Sequence, residues 1–269
     1  MSLRASLAMY DQLPALRAAN DRFWQGVAER LALAGVDAPA SLDRSLSHDA
    51  VWRQPDLLLA QTCGYPYIRL LKGRVRLVAT PVYAFAGGRG TERASFVIVR
   101  GDRRAKGIAD LRGARAAVND HVSNSGMNLF RALVAPHAKD GVFFDSVVYT
   151  GGHMNSIACV REGRADVAAI DSVTWGLIAL HAPGMLEGLR ILCETPSGPG
   201  LPYISRIDAS DAEVAALRAA LAETIADPAC ADATSALGLK GIEILGDADY
   251  ERLNALRQEA ERLGYPIIA

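Results

Sequence analysis

An excess of charge of either sign is what this sequence lacks most plainly. Its 29 Lys and Arg stand against 30 Asp and Glu, a formal charge of -1, so no broad basic surface for nucleic acid is expected. Long hydrophobic runs are also missing. No apolar stretch approaches the roughly 20 residues that span a bilayer. Residues 1–14 show no long apolar core of the secretory-leader kind. Cysteine is scarce: Cys63, Cys159, Cys193 and Cys230 are widely and irregularly spaced, with no CxxC pair and no compact zinc pattern. Most sit in apolar segments, so free, buried thiols are expected. His121 and His137 have no partner at metal spacing, His48 and His181 are isolated, and neither HExxH nor GxSxG occurs. No metal and no cofactor is therefore expected.

What is present describes a folded chain. Half of the 269 residues are hydrophobic and 22% are charged, which separates it from disordered compositions. The length suits one large α/β domain or two lobes. Strand-like runs alternate with helix-like runs, an order that favours an α/β fold with largely parallel sheets. ASLAMYD (5–11) reads as a first strand. Residues 21–34 follow as a helix with Phe23, Val27 and Leu31 on one face. PDLLLAQT (55–62) reads as a short buried strand, and RVRLVATPVYAF (74–85) as a strand broken or redirected at Pro81. Further strands are expected in RASFVIVR (93–100), ARAAV (114–118), FFDSVVYT (143–150) and ADVAAID (165–171), with helical spacing after the last three. Ser210 and Glu213 have capping-box spacing ahead of another helix. Tyr250, Leu253, Leu256 and Leu263 line a last one.

Two stretches look like crossings between lobes. One is the flexible turn around Gly87, Gly88 and Gly90; the other is TPSGPGLPY (195–203). With crossings there, lobe one comprises 1–83 and 194–269 and holds both termini, and lobe two is 84–193. A single doubly wound domain with two loose loops fits the pattern equally well.

Chemistry concentrates at three strand-to-helix junctions. In NDHVSNSGMN (119–128), Ser123 or Ser125 can cap a helix, and the unpaired amides of such a start favour an anion. Gly126 would let a ligand approach the backbone. The spacing is not that of a nucleotide P-loop, and an ordinary capped helix is the alternative. In YTGGHMNS (149–156), His153 follows two glycines and can donate to an oxyanion, or it anchors a loop. In ADVAAIDSVTW (165–175), Asp171 can read a ligand amine, orient His153, or cap the next helix. Ligands of open α/β sheets bind beyond the strand C-termini, so these junctions can converge. Tyr10, Tyr65 and Tyr83 offer rigid rings with one hydroxyl each, or pack at a sheet edge. Trp24 and Trp175 read better as core than as cleft walls. A serine nucleophile at Ser123 or Ser125 would need a placed base, and the local pattern does not favour one over hydrogen bonding.

In order, ASLAMYD, LLLAQTCGYPY, SNSGMN, GGHMNSI and GRADVAAIDSVTW give the chain its resemblance to the phosphate, phosphite and phosphonate binding proteins of bacterial ABC importers. The resemblance runs over most of the chain. It implies a type II periplasmic-binding-protein fold: two α/β lobes with a ligand cleft between them. It implies a solute-binding protein without a catalytic step, taking a small phosphonate- or phosphate-like oxyanion to an ABC permease. By motif position it implies ligand contacts at Ser123, Asn124, Ser125, His153 and Asp171, with Tyr10 and Tyr83 from the aromatic positions. Tyr65 and Gly126 are secondary candidates. The family has threonine where this chain has Asn124, which keeps a donor and changes its shape. The implied location is periplasmic if an upstream leader was trimmed, and cytoplasmic otherwise. The competing readings are a cytoplasmic lyase-type enzyme on the same lobes acting on a small carboxylate, as in menaquinone pathways, and a non-transport ligand sensor.

Overall fold

Proline at position 14 decides where the first helix begins. The N–H that proline lacks would have no intrahelical acceptor at a helix start anyway, so the residue is well placed in the first turn. The helix accordingly starts seven residues before the expected position. In the computed structural model the described residues are 3–269; Met1 and Ser2, with which the expected first lobe opens, lie outside the described residues. The chain begins β1 (Arg4–Ser6), α1 (Pro14–Leu33), α2 (His48–Val51), β2 (Leu57–Gln61), α3 (Gly64–Pro66) and β3 (Val75–Tyr83). It continues through β4 (Glu92–Arg93), β5 (Ser95–Arg100), β6 (Arg115–Val118), α4 (Leu129–Val134), β7 (Ser146–Tyr149), α5 (His153–Arg161), β8 (Val167–Asp171), α6 (Ser172–His181), β9 (Leu189–Glu194) and β10 (Gly198–Pro199). It closes with β11 (Tyr203–Arg206), α7 (Asp211–Ala226), α8 (Ala231–Ala236), β12 (Leu239–Glu243) and α9 (Asp247–Arg262).

Two compact units divide these elements. Unit 1 takes the chain up to Ala84 and Gly200–Asp249; unit 2 takes Phe85–Pro199 and Tyr250–Ala269. The first two boundaries fall close to the expected crossings. The third differs from the expectation that lobe one holds both termini. The physical reason is hydrogen bonding within unit 2. Arg131 donates to the Pro266 carbonyl at 2.8 Å, Asn128 to the Leu253 carbonyl at 3.0 Å, and the Phe143 and Phe144 amides to the Ala269 carbonyl.

Unit 1 holds a five-stranded sheet in the order β1-β2-β11-β3-β12. Only β1 and β2 pair in parallel; β11 is antiparallel to β2 and β3, and β12 to β3. Leu57, Leu58, Leu59 and Ala60 are all buried, as a strand covered on both faces requires. The helix α1 buries Leu16, Phe23, Val27 and Leu31 at helical spacing and packs on α7 and α8, while α7 packs on β3 and β12. Pro81 neither breaks nor redirects β3. It lies past Ala79, where pairing with β11 ends, and opposite Ile242 of β12. The expected first strand ends early, at Ser6. Ala8–Tyr10 instead form a 3-10 turn. Asn20 on α1 holds that turn by donating to the Tyr10 carbonyl at 2.9 Å.

Unit 2 holds a second sheet, β7-β6-β8-β5-β9. The strands β7, β6 and β8 run parallel; β5 is antiparallel to β8 and β9. Both sheets are therefore mixed rather than largely parallel. In each, a strand that follows a crossing (β5, β11) enters antiparallel to its neighbours. The unit 2 core joins Phe96 and Ile98 of β5, Ala168 and Ile170 of β8, Ile157 and Val160 of α5, and Ile178 of α6. Each large aliphatic side chain so buried contributes about 1.5–3 kcal/mol. The glycine turn expected to be flexible is held by Arg93, which donates to the Phe85 carbonyl at 2.9 Å and the Gly90 carbonyl at 3.0 Å. All four cysteines are free, and of them only Cys159 is fully buried. Trp24 is core, donating to the Pro39 carbonyl, while half-buried Trp175 meets Phe96 edge to face. No helix among the described residues is long and apolar enough to cross a membrane.

Candidate functional site

The parallel trio β7-β6-β8 explains why three polar junctions meet. Neighbouring parallel strands end on the same side of a sheet, so the loops that leave them are neighbours. The pairing of β6 with β7 continues past the strands: the Thr150 amide donates to Val118 and the Gly151 amide to Asn119, each at 2.9 Å. That zipper brings the start of α5 against the loop after β6.

His153 opens α5 and reaches Ser125, with Nε2 and Oγ 2.8 Å apart. Ser125 lies in a single π-turn, Asn124–Asn128, that feeds into α4. Ser123 caps the turn, its Oγ accepting from the Gly126 amide at 3.1 Å. Ser95, at the start of β5 and opposite Asp171 of β8, donates its hydroxyl to the Ser125 carbonyl at 2.9 Å. Thr195 in turn accepts from the Ser95 amide at 2.9 Å. Ser125 is thus fixed from both its side chain and its backbone. The N–H groups of Asn124 and Ser125, at the head of the turn, have no intrahelical acceptor by geometry.

Gly126 has a different part from the one expected of it. Its amide already donates to Ser123, and a Cβ on it would stand 2.0 Å from Asn119 Oδ1. The missing side chain admits the Asn119 amide, not a ligand. Asn119 Oδ1 is buried and makes no hydrogen bond, and the same is true of His153 Nδ1. Two unsatisfied polar atoms beside one Ser–His contact are unusual, since each costs about 1–3 kcal/mol when buried.

Electrostatics keep His153 neutral. Burial pushes its pKa below the ordinary 6.5, and the negative charge of Asp171 opposes that shift without cancelling it. The unfolded chain then takes up this proton more readily than the folded one, so stability is lost as pH falls below about 6.5 and is unaffected above. The melting temperature is expected to drop between about pH 7.5 and about pH 5.5, and to drop less in His153→Gln. An identical drop in both proteins would contradict this. Asp171 itself caps α6, its Oδ2 accepting from the Thr174 amide at 2.8 Å and the Thr174 hydroxyl at 3.1 Å. Of the roles open to it in the sequence, the cap is the one seen.

The tyrosines form a separate group in unit 1. Tyr10 and Tyr83 pack edge to face with centroids 5.7 Å apart, and Gln61 donates to the Tyr83 hydroxyl at 3.1 Å. They line a cavity of about 10 Å³ with Asn20 and Tyr203, room for about one water and too small for a phosphonate. Tyr65 is buried within α3. Within unit 2 the structure therefore gathers Ser123, Asn124, Ser125, Gly126 and His153 and sets Asp171 within range of the imidazole, while Tyr10, Tyr65 and Tyr83 belong to unit 1. Sequence reasoning passed over Asn119, Ser95, Asn128 and Arg131. Only Asn119 carried a signal, as the first residue after β6.

Chemically the cluster offers hydroxyls, amides and a neutral imidazole, a set suited to oxyanion oxygens. Ser125 and His153 also have the spacing of a nucleophile and its base. Among the described residues His153 Nδ1 has no hydrogen-bond partner.

A sequence profile described as ABC transporter, phosphonate, periplasmic substrate-binding protein matches residues 54–250, more than half of the chain. No curated protein matches the chain by sequence. Among solved structures, PhnD1 of Prochlorococcus marinus in complex with methylphosphonate is similar at 14% identity and a TM-score of 0.77, over 97% of this chain and 98% of that one. A binding-protein component of an ABC phosphonate transporter from Pseudomonas aeruginosa is similar at 15% identity and a TM-score of 0.75, over 97% and 87%. A Xanthomonas citri protein bound to chloride is similar at 16% identity and a TM-score of 0.70, over 98% and 99%. The architecture is that of the two-lobed type II periplasmic binding proteins, and the chain belongs to the family of periplasmic substrate-binding proteins of phosphonate ABC transporters.

Proposed function

We propose that this solute-binding protein captures a small phosphonate- or phosphate-like oxyanion and delivers it to an ABC permease from the periplasm. What carries the reading is the 2.8 Å contact of Ser125 Oγ with His153 Nε2, flanked by two buried polar atoms that lack partners. Whichever tautomer His153 adopts, one ring nitrogen is left unsatisfied. An oxyanion would engage Ser125, the Asn124 side chain and the amides at the head of the turn, with Ser123 holding that turn in shape. His153 supports Ser125 as a neutral partner. Asp171 acts through its charge on the imidazole, and Asn119 Oδ1 supplies an acceptor for a hydroxyl or amino substituent of the ligand.

The relatives' names support the anion class and leave its member open. PhnD1 holds methylphosphonate, while the Xanthomonas citri protein is also known bound to ATP, at 18% identity and a TM-score of 0.68 over 98% of each chain. Isothermal titration of the purified protein with methylphosphonate, phosphate, phosphite and a set of small carboxylates tests the proposal. Saturable binding of one phosphorus oxyanion at about micromolar strength is expected, which corresponds to about 8 kcal/mol. Binding of carboxylates alone, or silence throughout, would overturn it.

A further inference from the structure

Arg131 is an unusual residue to find inside unit 2. It is 4% exposed, and its guanidinium makes no ion pair among the described residues. One terminal nitrogen donates to the Pro266 carbonyl at 2.8 Å and the other to Asn128 Oδ1 at 2.7 Å; Nε is buried and unsatisfied. A buried guanidinium without a carboxylate is unfavourable unless some negative charge completes it. Arginine stays protonated under all ordinary conditions, so the charge cannot be shed.

The hydrogen bonds that leave Arg131 have a forced direction. A guanidinium only donates, so Asn128 must turn its oxygen towards Arg131. The Asn128 amide nitrogen then faces two acceptors, the Leu253 carbonyl at 3.0 Å and Asn124 Oδ1 at 3.3 Å. Both partners agree with that orientation, since a carbonyl can only accept. Asn124 therefore has its own oxygen turned inwards, and its NH2 group is left as the outer end of the chain. Asn124 opens the π-turn that carries Ser125.

We infer that Arg131, Asn128 and Asn124 form a one-way donor relay that presents the Asn124 NH2 group to the ligand and places a buried positive charge behind it, so that the site selects the doubly charged form of an oxyanion. The inference rests on the binding reading above. Asn124 is the contact and Arg131 a positioning residue that never touches the ligand. A side-chain amide nitrogen can donate and cannot accept, so an ionised oxygen suits this end of the relay and a protonated one does not. The uncompensated guanidinium adds a preference that depends on ligand charge and is insensitive to ligand shape.

Two probes of similar tetrahedral shape separate charge from fit: methylphosphonate, doubly ionised at about pH 8.5, and methanesulfonate, singly charged. The wild-type protein is expected to bind methylphosphonate about tenfold or more tighter than methanesulfonate. In Arg131→Met the preference should shrink to about threefold or less, while Arg131→Lys, which keeps the charge, should retain most of it. A merely structural role would weaken both probes alike, and that result, or no change in either, overturns the relay while leaving the oxyanion site standing. Should the wild type bind neither probe, the binding reading falls and the relay with it. Should Arg131→Met fail to fold, Asn124→Asp decides. With a carboxylate oxygen in place of the NH2 group, methylphosphonate affinity should fall about 100-fold and methanesulfonate affinity less. Unchanged methylphosphonate binding in Asn124→Asp overturns the proposal.

Discussion

Ser125→Ala is expected to weaken oxyanion binding about 10- to 100-fold while lowering the melting temperature of the empty protein by only a few degrees, about what the loss of a partner for His153 Nε2 costs. The affinity loss follows from one hydrogen bond to a charged ligand, worth about 1.5–3 kcal/mol. The small effect on stability follows from what the hydroxyl does in the empty protein. Its one described contact is His153 Nε2 at 2.8 Å, and the turn is held by other groups. Ser95 grips the Ser125 carbonyl and Ser123 caps the Gly126 amide, and the substitution leaves both in place. Titration calorimetry beside a thermal melt reads the two quantities separately. A variant that melts far lower and binds as before would make Ser125 a structural residue.

The second large effect is on stability. Gly88→Ala should lower it by about 2–3 kcal/mol, because a Cβ at that position would stand 1.9 Å from the Glu92 carbonyl oxygen. A backbone carbonyl cannot swing aside as a side chain can. The obstruction also lies inside a fastened turn: Arg93 ties the Phe85 and Gly90 carbonyls, and β4 pairs with β10 through Glu92 and Pro199. Shifting Glu92 disturbs all of these at once. Circular dichroism melts should show a drop of roughly 5–10 °C, with secondary structure intact below the transition. A variant melting with the wild type would mean that this turn yields as freely as its glycines suggest in the sequence.

That turn shows where sequence reasoning reaches its limit. Three glycines within four residues read as flexibility, because the pattern displays the permissive residues and hides what fastens them. Arg93 looked like the first residue of a strand, and its two backbone acceptors are visible only in three dimensions. The strands were easier. LLLA and SFVIV are short apolar runs bounded by turn residues, and each is a buried strand as read. Their directions were not legible, since alternating strands and helices suggest parallel sheets, and the antiparallel entry of β5 and β11 follows from the path of the chain between units. Pro81 misled for a related reason. Proline interrupts a ladder only where its amide is needed, and β11 has left β3 by that point.

The candidate site divides the same way. Ser123, Ser125 and His153 were legible because small polar residues after an apolar strand mark a helix start, and two such starts on adjacent parallel strands must be neighbours. Asp171 was legible as a cap or as a ligand contact, and its bond from the Thr174 amide shows the cap. Gly126 read as room for a ligand and proved to be room for Asn119. Arg131 was beyond reach, because a charged residue in a short helix normally faces water, and only the C-terminal segment folded over α4 buries it. That docking also accounts for the third unit boundary. Tyr250, Leu253 and Ala260 form the buried face of α9, but periodicity says nothing about which unit a helix covers.

Nitrogen-15 NMR of labelled imidazole tests the central claim most directly, because His153 Nε2 holds the Ser125 hydroxyl that is proposed to meet the oxyanion, and its other ring nitrogen lacks a partner. Adding methylphosphonate should shift the His153 nitrogen signals and the Asn124 and Ser125 amide signals together, saturably and with a single affinity. If the ligand binds and these signals stay still while others move, the Ser125–His153 junction is not where the anion sits.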